Sequence, residues 1–161
     1  MKKFLFLFIA LSIGLSCKKP LCGCSPIEYH FILTVRDAND KDLLAPDALG
    51  GYKAGQIKLY YKEGGNLKLV NSYIRTPISY YPENKEVKFE YYQLQSPDLV
   101  KLRMSGKTEF YITFNNQEPL SLSFEVSRID NSAINVMIDD KPLKDALLFK
   151  GYPSVWTVTI P

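Results

Sequence analysis

Residues 57–70 have the sequence IKLYYKEGGNLKLV, and this stretch decides the fold class. Two strand-like runs, Ile57–Lys62 and Leu67–Tyr73, flank the tetrapeptide Glu-Gly-Gly-Asn at positions 63–66. Alternation of apolar and polar residues is typical of a strand with one buried face. A short Gly-rich segment between two such runs predicts a β-hairpin.

The same alternation recurs along most of the chain. Tyr29, Phe31, Leu33 and Val35 alternate with polar residues, which predicts a first strand with one buried face. Similar segments cover residues 78–81, 86–92, 109–114, 120–127, 134–138 and 155–160, whereas 99–104 fit either a strand or a helical turn. About eight or nine short strands predict an all-β, immunoglobulin-like or transthyretin-like sandwich.

Residues 40–55 interrupt this pattern. Their proline, glycines and acidic residues predict a loop with one helical turn from Pro46. We expect Leu43 and Leu44 to tuck under the sheet and hold the loop. Loops of this length inside a compact domain are often functional.

The first seventeen residues form a different kind of segment. Lys2 and Lys3 precede an apolar run over residues 4–15, which is too short to span a bilayer and ends at Ser16-Cys17. This ending resembles the lipobox of bacterial lipoproteins, in which the cysteine becomes the lipidated first residue. The resemblance implies a signal peptide over 1–16, lipid on Cys17, a tether over 17–26 and one domain over 27–161. The alternative is an ordinary signal peptidase cut at Ala10 or Gly14.

The residues around Cys17 also suggest a location. Ser-Cys-Lys-Lys at positions 16–19 and the Cys-rich start of the mature chain resemble small envelope lipoproteins of Bacteroidota-type bacteria. The segment 42–46 is similar to a family of such lipoproteins with no assigned activity. The resemblance implies an envelope protein anchored by Cys17 in membrane lipid, in the outer membrane rather than the inner one.

Charge argues against nucleic acid as a partner. Lys2 and Lys3 leave with the signal, so the formal net charge falls from +3 to +1. A near-neutral chain lacks the basic surface that nucleic-acid binding requires.

Cys22 and Cys24 allow three interpretations. A bridge between them would close a small, strained ring, and a metal site would need further ligands. The third interpretation places both in the tether with little influence on the fold. The sequence predicts no metal and no cofactor.

Catalytic motifs are scarce. His30, the only histidine, is predicted on the polar face of a strand and lacks a partner motif. The acidic run over residues 37–42 departs from a calcium loop, because Lys41 occupies the third ligand position, although an irregular calcium site stays open. Asp139-Asp140, followed by Lys141-Pro142, predicts a β-turn.

Adjacent tyrosines are the remaining signal. Neighbouring side chains in a strand point to opposite faces. Alternation with Ile57 and Leu59 places Tyr61 inside and Tyr60 outside. In the same way, alternation with Val87 and Phe89 places Tyr91 inside and Tyr92 outside. Tyr60 and Tyr92 are therefore the candidate binding face, unless outward rings only cover the sheet through cross-strand pairs.

These observations favour a non-catalytic envelope module that binds a protein or glycan partner through a sheet face or loops. The alternative is a small carbohydrate-active enzyme that uses Asp and Glu carboxylates. Two acidic side chains facing each other across a cleft would favour the enzyme, and scattered ones would favour the binding module.

Overall fold

A computed structural model describes residues 28–80, 87–146 and 153–161. Within these residues there are thirteen strands and one helix, α1, at Pro97–Met104. The strands are β1 Ile32–Arg36, β2 Ile57–Glu63, β3 Asn66–Val70, β4 Tyr73–Arg75, β5 Ile78–Tyr80, β6 Val87–Phe89, β7 Gln93–Gln95, β8 Phe110–Phe114, β9 Leu120–Val126, β10 Ala133–Ile138, β11 Lys141–Pro142, β12 Lys144–Asp145 and β13 Trp156–Thr159.

The strands form three sheets with a sandwich-like arrangement, which confirms the predicted all-β class. The six-stranded sheet has the order β11-β10-β9-β8-β2-β3, the five-stranded sheet β12-β13-β1-β7-β4, and β5 pairs with β6. The strands outnumber the eight or nine expected mainly because three short ones, β7, β11 and β12, lie outside the predicted runs. In addition, the run Leu67–Tyr73 breaks after Val70, and its two ends belong to strands of different sheets.

The hairpin of β2 and β3 confirms the prediction from the Gly-rich turn. Glu63 pairs with Asn66, and Gly64 and Gly65 adopt φ angles of 58° and 84°. Two consecutive positive φ angles define the turn type that matches the twist of the flanking strands, and glycine adopts them without strain. The predicted turn at Asp139-Asp140 is confirmed in the same way, between β10 and β11.

The main core fills the space between the two large sheets. Phe124 of β9 is central, with its ring centroid 5.4 Å from that of Phe31 and 5.2 Å from that of Phe110. The buried indole of Trp156 in β13 donates to the backbone oxygen of Ala133 in β10, at 3.0 Å. This hydrogen bond joins the two sheets directly and satisfies a polar group that burial would otherwise leave unpaired.

Strand β1 is buried on both faces, so the prediction of a single buried face is wrong. Leu33 and Val35 face the main core, as the alternation predicted. Ile32 instead packs with Phe89 and Val155 in a second apolar cluster. Because β6 supplies Phe89, the small β5–β6 sheet covers the face that the sequence assigned to solvent.

Helix α1 resolves the ambiguity over residues 99–104. Ser96 caps it, because its hydroxyl accepts a hydrogen bond from the N–H of Leu99 at 3.4 Å, and Pro97 occupies the first turn. Leu99 and Val100 are fully buried. This helix, the one found in the described ranges, is not long and apolar enough to cross a bilayer.

The predictions for the N-terminus fall outside the described residues. These are the signal peptide, lipidation of Cys17, the tether over 17–26, and the roles of Cys22 and Cys24.

If both faces of β1 are buried, Ile32→Ala and Leu33→Ala should each lower the free energy of unfolding by about 2–5 kcal/mol, because each truncation leaves a cavity. Urea titration measures both. Leu49→Ala is the control, since Leu49 is 88% exposed and should change stability by less than about 0.5 kcal/mol. If Leu33→Ala lowered the free energy of unfolding and Ile32→Ala did not, only one face of β1 would be buried.

Candidate functional site

The segment between β1 and β2 covers a cavity of about 390 Å³, hereafter the loop cavity. Small apolar residues of this segment line much of it, and Ile74 of β4 and Tyr92 complete the wall. The apolar residues from the segment are Leu44, Ala45, Pro46, Ala48 and Ala54. Its volume lies within the range of ligand pockets, which are mostly apolar with a few placed polar groups.

Backbone hydrogen bonds hold the 42–56 loop to both large sheets. The N–H of Leu43 donates to the oxygen of Val35 in β1 at 2.8 Å. At the far end, the N–H of Asn115, after β8, donates to the oxygen of Gln56 at 2.6 Å. Leu43 and Leu44 are buried in the main core, as predicted. The loop is therefore a fixed part of the domain.

The predicted helical turn at Pro46 is wrong. The structure has successive turns here, in which the N–H of Ala48 donates to the oxygen of Ala45 at 3.1 Å and that of Gly51 to the oxygen of Ala48 at 2.9 Å. A Cβ atom on Gly51 would lie 2.7 Å from the Cβ of Ala48 and 2.8 Å from the oxygen of Leu43. Only glycine fits this close approach.

Asp42 is not among the lining residues, but it bonds to two residues that are. One carboxylate oxygen accepts from the N–H of Leu44 at 2.9 Å, and the other accepts from the N–H of Tyr92 at 2.7 Å. Hydrogen bonds to a charged acceptor are stronger than neutral ones. A single side chain therefore positions the loop and the opposite wall together.

Two aromatic residues give the cavity its chemical character. Tyr52 is buried and packs edge-on against Phe114, with ring centroids 5.7 Å apart, and burial raises the pKa of its phenol. Tyr92 is half-buried and packs against the main core. Among the described residues of the lining, the exposed Lys53 is the only charged one. The cavity therefore favours an apolar or aromatic group.

The structure separates the two tyrosines predicted to form one binding face. Tyr61 packs against the core, as predicted, whereas Tyr60 lies on the other side of β2 beside Leu69 and Tyr111. Tyr92 packs against the main core, so its predicted orientation toward solvent is wrong. The reason is that β6 ends at Phe89, and alternation does not extend to Tyr91 and Tyr92.

The sequence did not predict that Tyr52 lines the loop cavity. Its neighbours in sequence are glycine and lysine, so no periodicity identifies it as buried. The only signal was the length of the loop that carries it, which indicated function without naming a residue.

The acidic residues of the run 37–42 accept hydrogen bonds from different donors and do not converge on one point. Asp37 accepts from the backbone N–H groups of Asn39 and Lys41, at 2.8 and 2.9 Å. Asp40 accepts from Arg36 at 2.7 Å and from the hydroxyl of Tyr91 at 3.0 Å, and these bonds lower the pKa of its carboxyl. In the described part of the chain, no group of three or more His, Cys, Asp or Glu residues is placed to hold a metal.

His30 lies just before β1, at an isolated bridge to Ser132. It is partly buried, which lowers the pKa of its imidazole, and its Nε2 is 3.6 Å from a carboxylate oxygen of Glu28. Both residues line a polar cavity of about 330 Å³. Of the lining residues that the structure describes, Glu28 alone carries a carboxylate, so they include no acidic pair of the kind a glycosidase uses.

Replacing Asp42 with Ala should lower the free energy of unfolding by about 1.5–3 kcal/mol, because two N–H groups lose a charged acceptor. It should also shift the NMR resonances of Tyr92 and Leu44 together. Asp47→Ala, at an exposed position of the same loop, is the matched control and should leave both readings unchanged. Equal effects of the two substitutions would show that Asp42 does not position the wall.

The chain matches no protein-family model, and no curated protein or solved structure matches it either. Its function must therefore be inferred from the geometry and chemistry of its own residues.

Proposed function

We propose that the chain is a lipid-anchored, non-catalytic binding module of the bacterial cell envelope, and that its loop cavity takes an apolar group of a protein or glycan partner. The cavity itself carries this proposal. It has about 390 Å³ of space, an apolar lining with two tyrosines, and a loop tied to both large sheets. A preformed cavity of this kind binds without a costly ordering step.

The distribution of carboxylates supports binding rather than catalysis. No Asp or Glu is among the described residues that line the loop cavity. In the same part of the chain, Glu28 is the one carboxylate lining the polar cavity at His30, and Asp98 is the one lining a third cavity beside α1. Asp98 is already paired with Lys101 at 3.1 Å. Carbohydrate hydrolysis, the alternative, needs two carboxyl groups flanking the bond to be cleaved. The described lining of these three cavities contains no such pair.

The anchor follows from the ending of the N-terminal apolar run at Ser16-Cys17. Ten residues, 18–27, separate Cys17 from the described domain, and they reach at most about 35 Å when fully extended. Lipid on Cys17 would therefore keep the cavity close to a membrane surface, where an envelope protein or a surface glycan is available.

Lipidation predicts the mass of the mature protein. Intact-mass measurement of membrane-extracted protein should give a chain that begins at Cys17 and carries a diacyl or triacyl group. Cys17→Ala should release the protein from the membrane or block its processing. A soluble product that begins at another residue would contradict the anchor.

Binding in the loop cavity predicts a saturable response to a small aromatic probe. In an NMR titration with p-cresol, the methyl signals of Ala45, Ala48 and Ala54 should shift together. Ala45→Phe fills the space and should weaken binding at least roughly tenfold, a change of about 1.4 kcal/mol.

Ala38→Phe is the control, because Ala38 is exposed and lies outside the cavity. It should bind p-cresol as the unmodified chain does. Shifts that do not saturate, or that Ala45→Phe leaves intact, would count against the cavity as a binding site.

A further inference from the structure

The polar cavity at His30 differs in chemistry from the loop cavity. Its volume of about 330 Å³ lies within the range of ligand pockets. Polar and aromatic side chains line it, and they come from β4, β7, α1 and the residues just before β1. The two cavities have no described lining residue in common, so they can bind different groups.

Strands β4 and β7 place a set of polar side chains on the cavity side of the five-stranded sheet. Tyr73 of β4 lies opposite Gln95 of β7, and both line the cavity. Arg75, which also lines it, lies opposite Gln93. Ile74, between the two lining residues of β4, packs against the main core, so these polar side chains point to the opposite face.

A chain of hydrogen bonds runs from the cavity wall into the domain. The hydroxyl of Tyr73 donates to Oε1 of Gln95 at 3.0 Å, and Nε2 of Gln95 donates to Oε1 of Gln93 at 2.8 Å. Gln95 is 6% exposed and Gln93 is fully buried, yet Nε2 of Gln93 has no partner among the described residues. An unpaired buried amide lowers stability. Packing alone therefore does not account for two glutamines here, whereas positioning the Tyr73 hydroxyl does.

Arg75 gives the cavity a cation without a carboxylate partner. It is exposed, and none of the ion pairs among the described residues includes it. The ammonium of Lys101, by contrast, is 3.1 Å from a carboxylate oxygen of Asp98. A guanidinium binds a carboxylate through two parallel N–H bonds. The geometry therefore leaves one site for a carboxylate at Arg75.

The lining offers hydrogen-bond acceptors as well as donors. The carboxylate of Glu28 accepts, and the oxygen of Tyr73 can still accept after its hydrogen is donated to Gln95. Sugar hydroxyls both donate and accept, so they suit this mixture. A peptide with several carboxylates would only accept, and it would meet the like charge of Glu28. The rings of Tyr29 and Tyr73 add apolar surface, and Tyr73 is 51% exposed.

We propose that the polar cavity at His30 binds an acidic sugar residue of a glycan, a pyranose that carries one carboxylate. Arg75 would hold the carboxylate, and Tyr73 and Glu28 would accept hydrogen bonds from the ring hydroxyls. Since Glu28 is the one carboxylate in the described lining, the site would bind the sugar without cleaving it. This site is independent of the loop cavity.

The test is an NMR titration of the full chain in a detergent whose head group is not a sugar. The probes are the methyl glycosides of glucuronic and galacturonic acid, their neutral parents methyl glucoside and methyl galactoside, and the peptide acetyl-Glu-Glu-amide. The side-chain signals of Tyr73 and Gln95 should shift and saturate with at least one uronide. Its neutral parent should bind at least roughly tenfold more weakly, because it lacks the carboxylate, and so should the peptide.

Two substitutions separate the carboxylate contact from the hydroxyl contacts. Arg75→Gln should bring the affinity ratio of uronide to neutral sugar close to one, while binding of the neutral sugar changes little. Tyr73→Phe should weaken both sugars by a similar factor, because both use the hydroxyl. Arg128→Gln, at an exposed arginine outside the cavity, is the matched control and should keep the original ratio.

Several results would overturn the proposal. They are no saturable shift with either uronide, equal affinity for uronide and neutral parent, peptide binding as tight as the uronide, an unchanged ratio in Arg75→Gln, the same loss of ratio in Arg128→Gln, and no weakening in Tyr73→Phe. Arg75→Gln should leave p-cresol binding in the loop cavity unchanged. Failure of this site and failure of the loop cavity are therefore distinguishable.

Discussion

The burial of β1 on both faces is the constraint on which the rest of the domain depends. This strand, the first described, pairs in parallel with β13, the last described, and antiparallel with β7. Its polar residue Thr34 is fully buried, yet its hydroxyl lies 3.2 Å from that of Thr157 and 3.4 Å from the oxygen of Trp156. These contacts lower the cost of burying a polar side chain in a central strand that is covered on both faces.

The loop cavity follows from this arrangement. The loop begins where β1 ends, with Leu43 bonded to Val35, and its far wall comes from β4 and Tyr92. The chain passes from β3 to β4 through Asn71-Ser72, so one connection links the open edge of the six-stranded sheet to the wall of the cavity. A rigid scaffold that carries a fixed loop is a common basis for binding. The proposed loop cavity derives from it.

Local chemistry explains what could be predicted from the sequence. The β2–β3 hairpin depends on its own Gly64-Gly65 turn, and Leu43 and Leu44 stand out as apolar residues in a polar loop. The second covered face of β1 was not predictable, because it depends on Phe89, which lies far along the chain. The loop cavity could not be predicted either, because the hydrogen bond between Asp42 and Tyr92 joins residues fifty positions apart. Tyr92 was misassigned because strand alternation was extended beyond the end of β6.

The central claim is that the loop cavity meets a partner in the envelope, and site-specific photo-crosslinking in living host cells tests it most directly. The photoreactive residue p-benzoylphenylalanine would replace Lys53, the exposed lining residue, or Arg128, an exposed residue outside the cavity. We expect a discrete adduct of higher mass on irradiation at position 53 and none at position 128. The absence of an adduct at position 53, or the same adduct at both positions, would contradict the account.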